Sequence, residues 1–407
     1  MKILHTSDLH IGKKLYSHQR KEEQQDVLDE LVFACRQEDV DVVLVAGDLF
    51  DNFTPSVDSM KMLFDTLVRI SENGRRAIVL IAGNHDSADR IDMPDSFART
   101  NGIFFLGNYD SIQQPLSLDN GINIEKTALN YMQIRISKYD YPLQLVVTPF
   151  VNEERLKTYF DGKDKDRLLR DFLAAVWEKT LEENARERGV KILMTHLFVL
   201  ENEQDERTEP EDENAINIGG LSAIYSENIP SSIQYAALGH LHRCQRIGKR
   251  HIWYSGSPLA YSFAEEEQEK YFLIIDIEPD KEPMVVKRPV GSGHKLKNLK
   301  AEGVEKALEL LNVYKDYWVQ LHLVTPQAIS YQQTLELHQA HDKLIQIIPE
   351  IESRDKNLES ENKILELRDN PTELFKEFYR SRNKGLEPED DLVKLFEEVI
   401  NKEDETD

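Results

Sequence analysis

Five short polar segments, each placed directly behind an apolar run, constrain this chain more than any other feature. They are Asp8-Leu9-His10, Gly47-Asp48-Leu49-Phe50-Asp51, Gly83-Asn84-His85-Asp86, Thr195-His196 and Gly239-His240-Leu241-His242. The runs before them, residues 3–6, 42–46, 78–82, 192–194 and 236–238, have the length and composition of buried strands. Between them lie helical patterns. Residues 22–37 put Val27, Leu28, Leu31, Val32 and Cys35 on one face; residues 56–70 do the same with Val57, Met60, Leu63, Phe64 and Leu67; a longer pattern covers 164–188. Alternating strands and helices predict an α/β sandwich over roughly the first 275 residues. In such folds the C-terminal strand ends open on one crevice, where ligands bind. Five strand ends would therefore deliver Asp, Asn and His to one place.

Those residue types point to a pair of divalent cations. Carboxylate with imidazole suits manganese, iron, zinc or magnesium, and the absence of Cys from the segments argues against a structural zinc site. In Asp8-x-His10 and His240-x-His242 the paired side chains lie two apart, which on a strand puts both on one face. The glycines before Asp48, Asn84 and His240 allow tight backbone turns beside ions. Any one of these segments alone is more often a satisfied polar strand end than a ligand. Five in order, each behind a strand, are not reconciled with chance.

Past residue 276 the texture changes. Pro279, Pro283 and Pro289 interrupt the chain and Gly291-Ser-Gly293 reads as a linker. Residues 282–355 then predict a small α+β domain with a helix, a strand at 318–324 and a helix at 329–344. Beyond 357 the chain is strongly charged, and residues 371–379 and 390–400 form two short amphipathic patterns. They are too poor in apolar residues for a core of their own, so the segment 363–402 is expected to dock on something, either a partner or its own chain. The acidic stretch 201–213 reads as a solvated loop, with a gate over the site as the sharper alternative.

Bulk properties limit the rest. Among 407 residues, Lys and Arg number 50 and Asp and Glu 74, for a net charge of -24. That balance is awkward for a protein that grips a phosphate backbone. Two cysteines, Cys35 and Cys244, cannot form a disulfide framework and read as free thiols. The N-terminus enters a strand without a signal-peptide pattern, and no apolar run approaches the ~20 residues of a membrane helix. A cytoplasmic location is the expectation.

The motif order DxH, GDxxD, GNHD, H, GHxH resembles that of the calcineurin-like metallophosphoesterases. The resemblance implies a four-layer β-sandwich flanked by helices. It implies one metal held by Asp8, His10, Asp48 and His242, and a second by Asp48, Asn84, His196 and His240, with Asp48 bridging. His85 would be the acid or transition-state contact at the scissile phosphate, with Asp86 orienting its ring. Protein phosphatases of this fold carry GDxxDRG and GNHE. Here Asp51 precedes Asn52-Phe53 and the third motif ends in Asp86. Outside the ligands, MKILHTSDLH at 1–10, GDLFDNFTPS at 47–56, GNHDSADR at 83–90, THLFV at 195–199 and SGSPLAYSF at 255–263 resemble the SbcD family of nuclease subunits. The last is a family signature whose role, a structural turn or a place near the site, stays open.

That closer resemblance implies a manganese-dependent nuclease acting on DNA ends. It would be a 3′-to-5′ exonuclease on duplexes and an endonuclease on hairpins or single strands, serving replication, repair and recombination. Residues 282–355 would cap the DNA groove, and 363–402 would grip an SbcC-type ATPase, since this chain lacks GxxxxGK[ST]. A homodimer through residues 56–70 and 93–99 is implied, with Met60, Met62 and Phe64 as candidates or as plain core. Lys13, Lys14, Arg20, Arg90 and Arg243, with Lys21, Arg246, Lys249 and Arg250, flank the motifs and could meet phosphates locally. The alternatives are a two-metal phosphodiesterase or phosphatase on a small nucleotide or phospholipid, and a non-catalytic scaffold for DNA ends and the ATPase.

Overall fold

The structure, a computed structural model, describes residues 1–158, 165–205, 223–326 and 329–351, together with Thr372, Phe375, Lys376, Tyr379, Pro388, Leu392, Val393 and Phe396. The chain divides into two compact units, one of residues 1–323 with 331–348, the other of 324–330 with 349–407.

The first unit is built on two large sheets. One has six strands in the order Met284–Pro289, Tyr271–Asp276, Lys2–Thr6, Val42–Ala46, Ala77–Ile81, Ile103–Leu106. Its central members pair in parallel, so the first three motifs leave the sheet at the same edge. The other sheet has eight strands, with Leu143–Thr148, Val190–His196, Tyr235–Gly239 and Ile252–Tyr254 in parallel at its centre. The period of two along each strand explains why these runs are apolar throughout. Val42, Leu44 and Ala46 face Leu145, Ile192, Met194 and Ala237 across the space between the sheets. Val43 and Val45 face outward, onto Leu28, Leu31, Leu63 and Leu67 of the helices Lys21–Gln37 and Val57–Ser71. Val146, Leu193 and Leu238 in turn pack on Leu169, Leu173 and Trp177 of the helix Lys165–Asn184. Helix, sheet, sheet, helix is the four-layer α/β sandwich expected.

Differences are local. The strands Ile103–Leu106 and Ile122–Ala128 were not legible as such. Met284–Pro289 is a strand where prolines predicted a break. It lies at a sheet edge and carries Pro289 as its last residue, positions where a missing N–H costs no ladder bond. The small sheet orders Leu296–Glu302, Trp318–Thr325 and Leu344–Ile351, with helices Gly303–Val313 and Tyr331–Ala340. Only its middle strand reads from sequence, because the first, LKNLKAE, is largely polar. Of the acidic stretch 201–213, residues 206–213 lie outside the described residues. Within the second unit, residues 372, 375, 376, 379, 392, 393 and 396 are helical, and the rings of Phe375 and Phe396 stack at 4.2 Å; the remainder of 363–402 lies outside the described residues. Among the described residues no helix is long and apolar enough to cross a membrane.

Candidate metal centre

The motif loops are stitched to one another by backbone bonds before any side chain is considered. Asp8 N–H donates to Gly47 O, and His10 N–H to Asp48 O, both at 3.0 Å. Asp8 and His10 lie past the end of their strand, so the pleat does not align them. They converge because both adopt left-handed backbone, with φ of 52° and 41°; Asp48 and His240 do likewise at 50° and 108°. Strain of this kind costs on the order of 1–3 kcal/mol per residue and collects at functional sites.

The motif glycines are required mainly by space. A Cβ on Gly83 would lie 2.0 Å from Asp48 Oδ1, one on Gly47 2.2 Å from His196 Nδ1, and one on Gly239 1.8 Å from Ala46 O. No neighbour can yield by that much.

All the expected ligand residues come together, and all are buried. One ligand atom from each of Asp8, His10 and His242 lies within 4.8 Å of the others, and the same holds for Asp8, Asp48 and His196. His196 Nε2 lies 2.9 Å from Asn84 Oδ1 and 3.3 Å from Asp48 Oδ2, while His240 Nδ1 lies 3.3 Å from Asn84 Oδ1. His10 Nε2 lies 3.1 Å from His242 Nε2 and 3.6 Å from Asp48 Oδ2. Donor atoms so spaced suit shared ions at ligand distances of about 2.0–2.2 Å.

Asp48 supplies the test of fit. Its Oδ1 accepts from the His85 N–H at 2.9 Å. Its Oδ2 is buried without a hydrogen-bond donor, between the imidazole nitrogens of His10 and His196. A buried carboxylate oxygen with no donor is costly unless a cation faces it. Burial pushes the Asp48 carboxyl upward, yet the charges of His196, His10 and His85 hold it below the usual range. Asp8, by contrast, is raised by burial despite the nearby histidines. The residues present fit a dication pair.

Outer contacts fix the rings. His196 Nδ1 donates to Ala46 O at 2.8 Å, which turns Nε2 to the centre. His242 Nδ1 lies 3.3 Å from Glu265 Oε1. Ser7 donates to Asp8 Oδ2 and pairs with Ser255 at 2.7 Å. Tyr261 donates to Leu9 O and packs edge-on against His10. Ser255–Phe263, the signature whose role stood open, thus backs the ligand loops.

Three expected roles, those of Asp86, Arg20 and Arg250, need correction. Asp86 does not orient the His85 ring. Its carboxylate accepts the N–H groups of Gly83, Leu49 and Phe50 at 2.9–3.0 Å and so ties the second and third motifs together. Burial, then the charge of Asp48, raises its carboxyl to about 6. The His85 ring is held by the Asp51 carbonyl, 3.0 Å from Nδ1. Arg20 is not a phosphate contact either. It is buried, pairs with Glu23 at 2.8 Å and donates to the Ala260 carbonyl. Arg250 is similarly spent on the carbonyls of Ser226, Ile229 and Pro230. Lys14, Arg90 and Arg243 are exposed, Lys21 pairs with Asp58 at the surface, and Lys13 sits half-buried 3.8 Å from Asp51.

Sequence reasoning missed three residues. Arg155 donates to the carbonyls of Gly83 at 2.8 Å, Asn84 at 3.4 Å and Asp86 at 2.7 Å. Glu265 and Lys270 form a buried ion pair behind His242. Only Glu265 left a trace, since Ser262-x-x-Glu265 is a capping box, which the structure forms.

Residues 1–244 match the calcineurin-like phosphoesterase family, and the chain belongs to that family. It is thus a divalent-metal phosphoesterase, a hydrolase. Over 416 aligned residues, spanning all of both chains, it is 32% identical to SbcD, a subunit of the nuclease SbcCD, from Bacillus subtilis (strain 168), which places it with the SbcD members of that family. A solved dimetal phosphatase from Danio rerio aligns with 70% of this chain and 98% of its own, at 13% identity and a TM-score of 0.35.

Proposed function

We propose that this chain is the manganese-dependent DNA nuclease subunit of an SbcCD-type complex, cleaving duplex ends 3′ to 5′ and opening hairpins or single strands during DNA end processing. The observation that carries the reading is the buried, donorless Oδ2 of Asp48 between two imidazoles, in a chain similar throughout to a nuclease subunit. Asp8, His10, Asp48 and His242 would hold one ion, and Asp48, Asn84, His196 and His240 the other. Held there, two dications would polarise a phosphodiester and supply a water of lowered pKa. His85 stands at this centre with its ring 4.8 Å from that of His10. The Asp51 carbonyl takes its Nδ1–H, so the protonated ring presents Nε2–H to the leaving oxygen. Asp86 and Arg155 keep the backbone that carries Asn84 and His85 in place.

The net charge of -24 leaves DNA affinity to local cations. Exposed Lys14, Arg90 and Arg243, with Lys13, are the proposed phosphate contacts. Residues 282–355 would cap the DNA, and 363–402 would bind an SbcC-type ATPase. A homodimer is supported by Val57, Met93 and Phe97, which are 75%, 68% and 83% exposed beside the half-buried Met60 and Phe64. Met62 belongs to the core instead.

The test is to add Mn²⁺ to the chain, with and without its ATPase partner, and compare duplex DNA, hairpin DNA and p-nitrophenyl phosphate esters. DNA cleavage is expected; monoester turnover with no DNA cleavage would overturn the reading in favour of a small-substrate phosphatase.

A further inference from the structure

The ring of His242, a proposed ligand, is faced by a side chain that also belongs to another part of the fold. Glu265 Oε1 faces His242 Nδ1 at 3.3 Å. An ionised carboxylate only accepts, so Nδ1 carries the proton and Nε2 keeps its lone pair for a metal. Glu265 is itself fixed. The N–H groups of Tyr261 and Ser262 donate to Oε1 at 3.1 and 3.2 Å, and buried Lys270 pairs with Oε2. Lys270 also donates to the His242 carbonyl and to Ser257, both at 3.0 Å. His242 is therefore gripped at ring and backbone by one buried ion pair.

The turn that bears Glu265 is at the same time the attachment of the small sheet. Phe263 packs with Leu296, with Trp318 and Ile345 against them. Asn298 N–H donates to the Glu266 carboxylate, Asn298 Nδ2 donates to Phe263 O at 3.2 Å, and Lys297 lies 3.6 Å from Glu266. The anchors of the small sheet, Phe263 and Glu266, thus lie within two residues of the carboxylate that faces His242.

We propose that Glu265 is a positioning residue for His242, and that the turn 262–266 lets the strand Leu296–Glu302 set the metal-binding geometry of that histidine. The inference rests on the two-metal reading above. A load on the small sheet, from DNA or another chain, reaches the metal centre through this turn. Coupling of this sort needs no displacement of the motif loops, which are locked by close backbone contacts.

The test is Mn²⁺ titration by calorimetry on the full chain, with the fold monitored by thermal melting. Glu265→Gln alone strands the Lys270 charge and can unfold the site, so Glu265→Gln with Lys270→Met is the working variant; it removes both charges. Weakening of one Mn²⁺ site by about 10–100-fold is expected, the usual size of an outer-contact loss. Glu266→Ala with Asn298→Ala cuts the tether without touching Glu265. It is expected to weaken the same site by a few-fold, and to add nothing in the Glu265→Gln/Lys270→Met background. Wild-type affinity in the tether variant, or full additivity in the combination, overturns the coupling. Asp48→Asn is the control: if it binds Mn²⁺ like wild type, the two-metal reading itself fails, a distinguishable result.

Discussion

The two sides of the metal centre are held by different physics. Around Asp48, Asn84 and His196, geometry comes from bare backbone pressed on the Ala46 carbonyl and on the Asp48 and His196 side chains, with a missing Cβ at Gly47, Gly83 and Gly239 as the condition. Around His242, geometry comes from side chains, through Glu265, Lys270 and Tyr261. The first arrangement is rigid because interiors yield little to added atoms. The second can be retuned by exchanging or pulling one side chain. The difference separates what the protein fixes, the Asp48 carboxylate, from what it leaves adjustable.

Breaking the backbone-held side at its proposed acid, His85, should have the largest effect. His85→Ala is expected to slow DNA cleavage by roughly a hundredfold to ten-thousandfold, the range for a lost general acid, while calorimetry still finds two Mn²⁺ ions. Loss of the ions would instead make His85 part of the metal scaffold.

Gly83→Ala probes the rigidity directly. With its Cβ 2.0 Å from Asp48 Oδ1, it should cost about 3 kcal/mol or more in urea melts and abolish metal binding. Gly303→Ala is the contrast. Nothing lies within 4 Å of that Cβ, so only its φ of 80° is penalised, by about 1–2 kcal/mol. Equal costs at the two sites would remove the distinction between the regions.

Arg155→Ala should come next. Losing donors to three motif carbonyls is expected to lower kcat by about 10–100-fold with little change in KM. Arg155→Lys should rescue little, because an ammonium cannot span those carbonyls as a planar fork does. Full rescue by Lys would reduce the role to charge.

These contacts also mark where the sequence was legible. The strands and the polar residues that gather behind them could be read because their signals are local: an apolar run, a glycine, then Asp, Asn or His. Two sheets covered on both faces make such runs unmistakable. Arg155 reaches carbonyls some 70 residues away, and Lys270 reaches His242 across 28. Nothing in their neighbourhoods announces this. Arg20 misled for the same reason, since its partners Glu23 and the Ala260 carbonyl bury a charge that a motif-flanking position made look free. Asp86 was found, but its role was not, because three amides converge on it from two loops.

A separate, pH-dependent effect lies between the sheets, behind the site. His5 is buried against Tyr235 and the Leu238 carbonyl, and burial lowers its pKa from 6.5 to about 3. The unfolded chain therefore binds the extra proton first as pH falls. Stability from this group is complete above about pH 6.5 and is lost toward pH 3, at up to roughly 1.4 kcal/mol per pH unit. Urea melts in chelator across pH 4–7 should show a shallower slope for His5→Gln by about that amount. An unchanged slope would mean that other groups carry the acid sensitivity.

The proposed function requires one carboxylate shared between two ions, and Mn²⁺ calorimetry on Asp48→Asn tests it most directly. The amide keeps the shape and removes the charge at the donorless oxygen. Both binding events should weaken together, by more than the roughly 10–100-fold of an outer contact. Loss of a single ion with the other bound at wild-type affinity would contradict a bridging Asp48.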